Sequence, residues 1–280
     1  MIIDFHTHIF PDRIRSSREA YFPSETAFKL LYHSKKSKLA GAEELIESMD
    51  QQGVDKSVVF GFPWRSEDHF KLNNDYIIEA VSRHPDRLIG MACFDPFHLK
   101  GPSEAIRCLD AGLSGIGELA FYESDINVSA IRALTPVMEI CLKRKAPILI
   151  HTNEPVGHVY PGKAPMSHAG IYRFLKAFPD NRIILAHWGG GLFFFNLLKK
   201  EVKSVFKNVF FDTAASPFLY DPVIYKMASD IVGHEKILFG SDYPLIKPER
   251  YFNELSESGL GKEIIDDICG RNAEAVLTWP

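Results

Sequence analysis

Short apolar runs alternate along the chain with stretches whose apolar residues recur at i, i+3 and i+4, and eight such pairs follow one another. The predicted strands cover residues 2–5, 57–60, 88–93, 115–119, 148–151, 183–186, 209–212 and 237–240. Most of these runs are apolar without interruption, as parallel strands covered on both faces require; a sheet with one wet face would alternate. The predicted helices cover 42–52, 70–83, 103–111, 128–145, 168–178, 192–206, 222–232 and 248–257, with one more over 262–277. Eight strand-then-helix units predict an α/β chain folded as a (β/α)8 TIM barrel, one domain over residues 1–280, with the open doubly wound sheet as the alternative.

Two connections exceed the usual βα loop: 9–41, an extended loop after strand 1, and 152–167, after the fifth strand. Both leave strand C-termini, the barrel face on which active sites are built. They are therefore candidate lids or substrate walls, with decorated surface loops as the other reading. The first carries Lys35, Lys36 and Lys38.

Composition narrows the function classes. With 32 Lys+Arg against 36 Asp+Glu in 280 residues, the net charge of −4 and the lack of any like-charge block give no footprint for nucleic acid or an anionic membrane. Cys93, Cys108, Cys141 and Cys269 show no CxxC spacing, which fits buried thiols in a reducing compartment. The start Met1-Ile2-Ile3-Asp4 lacks a basic and apolar leader, and no run of ~18 apolar residues occurs, so a cytoplasmic protein with a small-molecule partner is expected.

The candidate chemistry sits at strand ends. In Asp4-Phe5-His6-Thr7-His8, residues two apart share a strand face, so His6 and His8 point together and can chelate one divalent metal. HxH alone is a weak signal. It gains weight from His151 at the end of the fifth strand, His187 after the sixth and Asp242 after the eighth, each a polar residue where an apolar run stops. Glu118 ends the fourth strand in the same way. Trp64 and Arg65 follow the second strand, where Arg65 either grips a substrate carboxylate or is a solvated loop charge. In the loop after the fifth strand, His158, with Tyr160 and Lys163, is a candidate pocket residue. Gly189-Gly190-Gly191 lacks the residues of a nucleotide loop and reads as close backbone packing beside His187, with a phosphate cradle as the alternative.

As an ordered set, HxH, the single His after strands five and six, and Gly240-Ser241-Asp242-Tyr243-Pro244 resemble the amidohydrolase superfamily over nearly the whole chain. The narrower resemblance is to its amidohydrolase-related branch, which includes aminocarboxymuconate semialdehyde decarboxylase and resorcylate decarboxylase type enzymes. That resemblance implies His6, His8, His151 and Asp242 as ligands of one metal, and His187 as a ligand to a second or a transition-state donor. The carboxylated Lys of many two-metal members has no counterpart near Glu118. The Gly-Glu at this position is similar to TatD-type deoxyribonucleases, so Glu118 either holds a second metal with His187 or fixes a ligand His.

The expected cofactor is one or two divalent ions, Zn2+ first, with Mn2+, Fe2+ or Co2+ as alternatives. The expected activity is hydrolysis of a small amide, lactone or ester by water that the metal activates, with Asp242 and His187 catalytic. The alternatives are nonoxidative decarboxylation of a small carboxylic acid on the same ligands and a noncatalytic metal-binding scaffold. An anionic substrate and a homodimer fit the same resemblance.

Overall fold

The computed structural model describes residues 1–278. Eight parallel strands form one sheet in the order β1 to β8: β1 Ile3–His8, β2 Lys56–Phe60, β3 Leu88–Ala92, β4 Gly115–Leu119, β5 Ile148–Ile150, β6 Ile183–Leu185, β7 Val209–Asp212 and β8 Ile237–Leu238. The segment after β8 closes the sheet onto β1, with Phe5 N donating to Phe239 O at 2.8 Å, Asp242 N to His6 O at 2.9 Å and His8 N to Tyr243 O at 2.8 Å. The fold is the (β/α)8 barrel that the alternation predicts. Every residue of β1, β4, β5, β6 and β8 is buried, as continuous apolar runs demand of strands covered by helices.

The principal outer helices are α3 Ala42–Gln52, α4 Glu67–Arg83, α5 Gly101–Asp110, α6 Val128–Arg144, α7 His168–Ala177, α10 Ile224–Val232 and α11 Pro248–Glu257. Their ends obey local chemistry. Glu44 accepts from Gly41 N at 2.6 Å ahead of α3, and Asn127 and Ser167 accept from Ala130 N and Gly170 N at 3.0 Å to start α6 and α7. No helix among the described residues is long and apolar enough to cross a membrane.

The structure corrects three boundaries. β1 runs on to His8, so both histidines lie inside the strand and keep its alternation. The connection 9–41 contains α1 Asp12–Ser16 and α2 Thr26–Tyr32, whose Phe28 packs with Phe10, Tyr21 and Trp64. The helix expected over 192–206, entered from a left-handed turn at 188–191, is instead 3-10 turns to Leu197 and the short α8 Lys200–Val205.

Residues 188–191 take positive φ of 60° to 89°, and a Cβ on Gly190 would stand 2.1 Å from Asn153 O. Gly190 thus serves close backbone approach beside His187. The remaining helices are α9 Ser216–Leu219, α12 Lys262–Asp266 and α13 Asn272–Leu277. A π turn between α12 and α13 leaves Ile268 O free to accept from Phe239 N at 2.9 Å, which ties the last helices to the closing strand.

Candidate metal centre

β1 delivers two imidazoles to one point. His6 Nδ1 donates to Asp212 Oδ2 at 2.8 Å, and His8 Nδ1 donates to Gly61 O at 3.0 Å. A carbonyl only accepts, so the proton of neutral His8 is on Nδ1 and its Nε2 presents a lone pair. The two Nε2 atoms face each other at 3.3 Å, His6 fully buried and His8 nearly so. Something positive, a proton or a metal ion, has to lie between them.

Two carboxylates complete the arrangement. Glu118 Oε2, from β4, is 3.7 Å from His6 Nε2 and 3.8 Å from His8 Nε2; Asp242 Oδ1, after β8, is 3.6 Å and 3.4 Å from the same atoms. Donors bonded to one cation at ordinary metal–ligand lengths stand about 3 to 3.5 Å apart, in six-coordinate as in four-coordinate sites. The residues present fit a divalent cation by donor chemistry and by spacing. Asp242 takes φ of 61°, a left-handed conformation that Asp tolerates, and Ser241 beside it is anchored to Asp4 through its N at 2.8 Å and its hydroxyl at 2.5 Å.

The other oxygen of Glu118 faces a second pair. Oε1 is 2.8 Å from His151 Nδ1 and 3.5 Å from His187 Nε2, so Glu118, His151 and His187 form a second buried group of metal-ligating type. Its shortest edge has hydrogen-bond length, and His151 Nε2 is engaged by Gly162 O at 2.9 Å. His187 Nδ1 donates to Ala214 O at 2.9 Å, which leaves Nε2 facing the pocket. Thus Glu118, rather than His151, groups with His6, His8 and Asp242 around the first position.

Charge in this pocket is strongly coupled. Burial alone would lower the His6 imidazolium pKa, but the carboxylates of Asp212, Glu118 and Asp242 outweigh it and lift it to about 10. Burial opposes the charge on His187 too, and Glu118 and Asp242 raise it to about 9. Burial would raise Asp242, yet the hydrogen bond to His8 and the charges of His6 and His187 hold it at about 2. Glu118 lies well below the usual carboxylate range because His151 and His6 overcome its burial. Ionised carboxylates thus draw positive charge into the metal-free pocket as protons on the imidazoles, charge that a bound cation would replace at His6.

The remaining candidates lie apart from this centre. Trp64 is buried in the aromatic cluster of Phe28 and Phe62, and its indole N–H is spent on Asn73 Oδ1 at 3.0 Å. Arg65 is half exposed and paired with Glu123 at 3.0 Å. His158 is exposed, its ring 5.9 Å from that of Tyr160, in a loop that Lys163 braces through Glu154 at 2.9 Å. Sequence reasoning overlooked Asp212. It ends an apolar strand as His151 does, and it orients His6 while accepting from His187 N at 2.8 Å and Ala214 N at 3.0 Å.

Fold and donors together define a barrel enzyme built for a divalent cation at the C-terminal ends of its strands. The chain belongs to the amidohydrolase family, whose model matches residues 3–279. It is 25% identical to the 2-amino-3-carboxymuconate-6-semialdehyde decarboxylase of Dictyostelium discoideum, over 97% of this chain and 90% of that protein.

Among solved structures, the 5-carboxyvanillate decarboxylase of Sphingomonas paucimobilis superposes with a TM-score of 0.78 at 14% identity, covering 99% of this chain and 98% of that one. A dihydroxybenzoic acid decarboxylase from a Polaromonas species, with bound manganese and the inhibitor 2-nitroresorcinol, gives 0.74 at 16% identity, covering 99% and 96%. These findings overturn the expectation of hydrolysis. The relative that matches almost end to end is named for loss of a carboxylate, and so are these two structural neighbours, which agrees with the alternative drawn from the same ligands.

Proposed function

We propose that this chain, acting as one unit over residues 1–280, is a metal-dependent nonoxidative decarboxylase of a small unsaturated carboxylic acid. The observation that carries the reading is an intact His6, His8, Glu118 and Asp242 donor set in a chain matched along nearly its whole length by a decarboxylase. Those four residues would hold the cation. Mn2+ comes first for assay, because the Polaromonas neighbour holds manganese, and Zn2+ second, because two imidazoles and carboxylates also suit it. When bound, the cation supplies positive charge and open positions that fix substrate oxygens.

The chain's own groups account for the rest. His187, with Nδ1 committed to Ala214 O, turns Nε2 towards Glu118 Oε1 at 3.5 Å, so that its imidazolium form would present the second ring proton to a ligand in the pocket. In the proposed step the bond between the substrate carbon and its carboxylate breaks, and the electron pair stays on that carbon. The proton of His187 Nε2 is delivered to the same carbon, and CO2 leaves. Solvent then returns a proton to His187. Asp242, held ionised, serves as ligand and as counter-charge to the His187 imidazolium.

The test is CO2 release from a panel of hydroxybenzoic and unsaturated dicarboxylic acids by Mn2+-loaded protein, repeated after chelation. Release that chelation abolishes and Mn2+ restores is expected. Absence of release across the panel, with lactones or esters hydrolysed instead, contradicts the reading.

A further inference from the structure

Two phenols beside the metal-ligating pocket have hydroxyls that the fold does not use. Tyr32 ends α2, and its ring packs on Phe28 at 4.7 Å and on Phe62 at 6.1 Å. Tyr122, just beyond β4, stacks on the same Phe62 at 5.8 Å with planes 10° apart and meets the His151 ring at 5.4 Å. Among the described residues neither hydroxyl has a hydrogen-bond partner, and neither is among the sealed polar atoms left unpaired, which are Arg15 Nε, Ser57 Oγ and Ser124 Oγ. Each therefore opens onto accessible space.

Other tyrosines spend theirs inside the protein: Tyr76 accepts from Ala42 N at 2.8 Å, Tyr225 donates to Glu254 at 3.0 Å and Tyr251 to Ser241 O at 2.7 Å. For packing alone, Phe would serve as well at positions 32 and 122; the oxygen is useful only to something that enters the pocket. Phe62 backs both phenols, and the His151 ring lies beside Tyr122. His151 Nδ1 is 2.8 Å from Glu118, so the two phenols border the metal-ligating groups through one shared set of ring contacts.

We infer that Tyr32 and Tyr122 are specificity-determining residues that hydrogen-bond an oxygen substituent, hydroxyl or oxo, on a planar conjugated acid. The inference rests on the carboxylic-acid reading above and names its substrate class more closely. Tyr32 comes from the excursion after β1, so the length and sequence of that excursion would set which acids are accepted. A hydroxyl buried by ligand without a partner is penalised, so an acid lacking the oxygen should bind less well than one carrying it.

The experiment measures Kd by calorimetry for 2,6-dihydroxybenzoate and for benzoate on Mn2+-loaded full-length protein, in the native chain and in Tyr32→Phe and Tyr122→Phe. Tyr172→Phe, far from the pocket, serves as control. The native protein should prefer the dihydroxy acid by about tenfold or more. Each pocket variant should lose most of that preference with benzoate binding and metal content unchanged, and the control should keep it. A native protein that binds both acids equally or neither, or pocket variants that retain the full preference, overturns the inference. CO2 release is scored separately: its failure with the hydroxyl preference intact overturns the decarboxylase reading and leaves the tyrosine assignment standing.

Discussion

His6 Nε2 and His8 Nε2 stand 3.3 Å apart while both Nδ1 atoms are committed, one to Asp212 and the other to Gly61 O. The pair has to share a proton or a metal ion, and on the proposed reading removing either imidazole dismantles the metal position. His6→Ala and His8→Ala should each weaken Mn2+ binding at least a hundredfold and lose turnover in parallel, as followed by elemental analysis and CO2 release. Full occupancy in both variants would show that these nitrogens are not ligands.

Asp212 is the buried support of that pair, gripping His6 with one oxygen and the His187 and Ala214 amides with the other. Asp212→Asn keeps the shape but removes the charge that fixes the His6 ring. Metal affinity should fall by about 10- to 100-fold with the secondary structure intact. Calorimetric titration of the variant checks it, and an affinity equal to the native value would remove Asp212 from the site.

Protons and metal compete for His6, whose pKa is raised to about 10 in the metal-free pocket. Metal binding should therefore release protons, and affinity should climb about tenfold per pH unit for each proton displaced between pH 7 and 9. Titrations in buffers of different ionisation enthalpy count the protons. A pH-independent affinity would contradict the assignment.

The same shifts govern stability without metal. The folded-state pKa values of His6 and His187 lie above the ordinary 6.5, so their contribution is complete below about pH 6.5 and is lost as pH rises through about 9 and 10. For Asp242 the folded value is depressed, so its contribution is present above about 3.8 and is lost as pH falls through about 2. The Tm of chelated native protein should fall between pH 7 and 10 more steeply than that of His6→Gln. Parallel curves for the two proteins would show that His6 does not supply this dependence.

Glu25 is a buried carboxylate in the excursion after β1, and it accepts from Arg65 N and Ser66 N, each at 3.0 Å, and from His69 Nδ1 at 2.7 Å. Glu25→Ala strands three donors beneath α2. It should cost about 3 kcal/mol of stability in denaturant unfolding. A loss within experimental error would mean that this excursion is held by its aromatic packing alone.

The barrel was legible because its strands are buried on both faces and so read as bare apolar runs, and because polar residues ending those runs are conspicuous. His6, His8, Glu118, His151, His187 and Asp242 all carry that signal. The grouping of Glu118 with His6, His8 and Asp242 does not show in a linear pattern, because it depends on which carboxylate oxygen faces which ring across the barrel. Trp64 illustrates the opposite limit: its position after β2 suggests a pocket wall, yet α2 folds over it, and a sequence does not reveal what an irregular excursion will cover. Positive φ over residues 188–191 makes the Gly-rich segment a tight turn against the backbone of Asn153, and the residues from 192 that read as a helix take 3-10 turns instead.

On the proposed reading, one divalent cation held by His6, His8, Glu118 and Asp242 organises this site and leaves His187 free to move a proton. Metal content per chain, titrated with Mn2+ to saturation and read by elemental analysis, decides between one ion and two. One ion per chain, retained in His187→Gln and lost in His6→Ala, is expected. Two ions per chain, with the second lost in His187→Gln, would make His187 a ligand and contradict its role as proton donor.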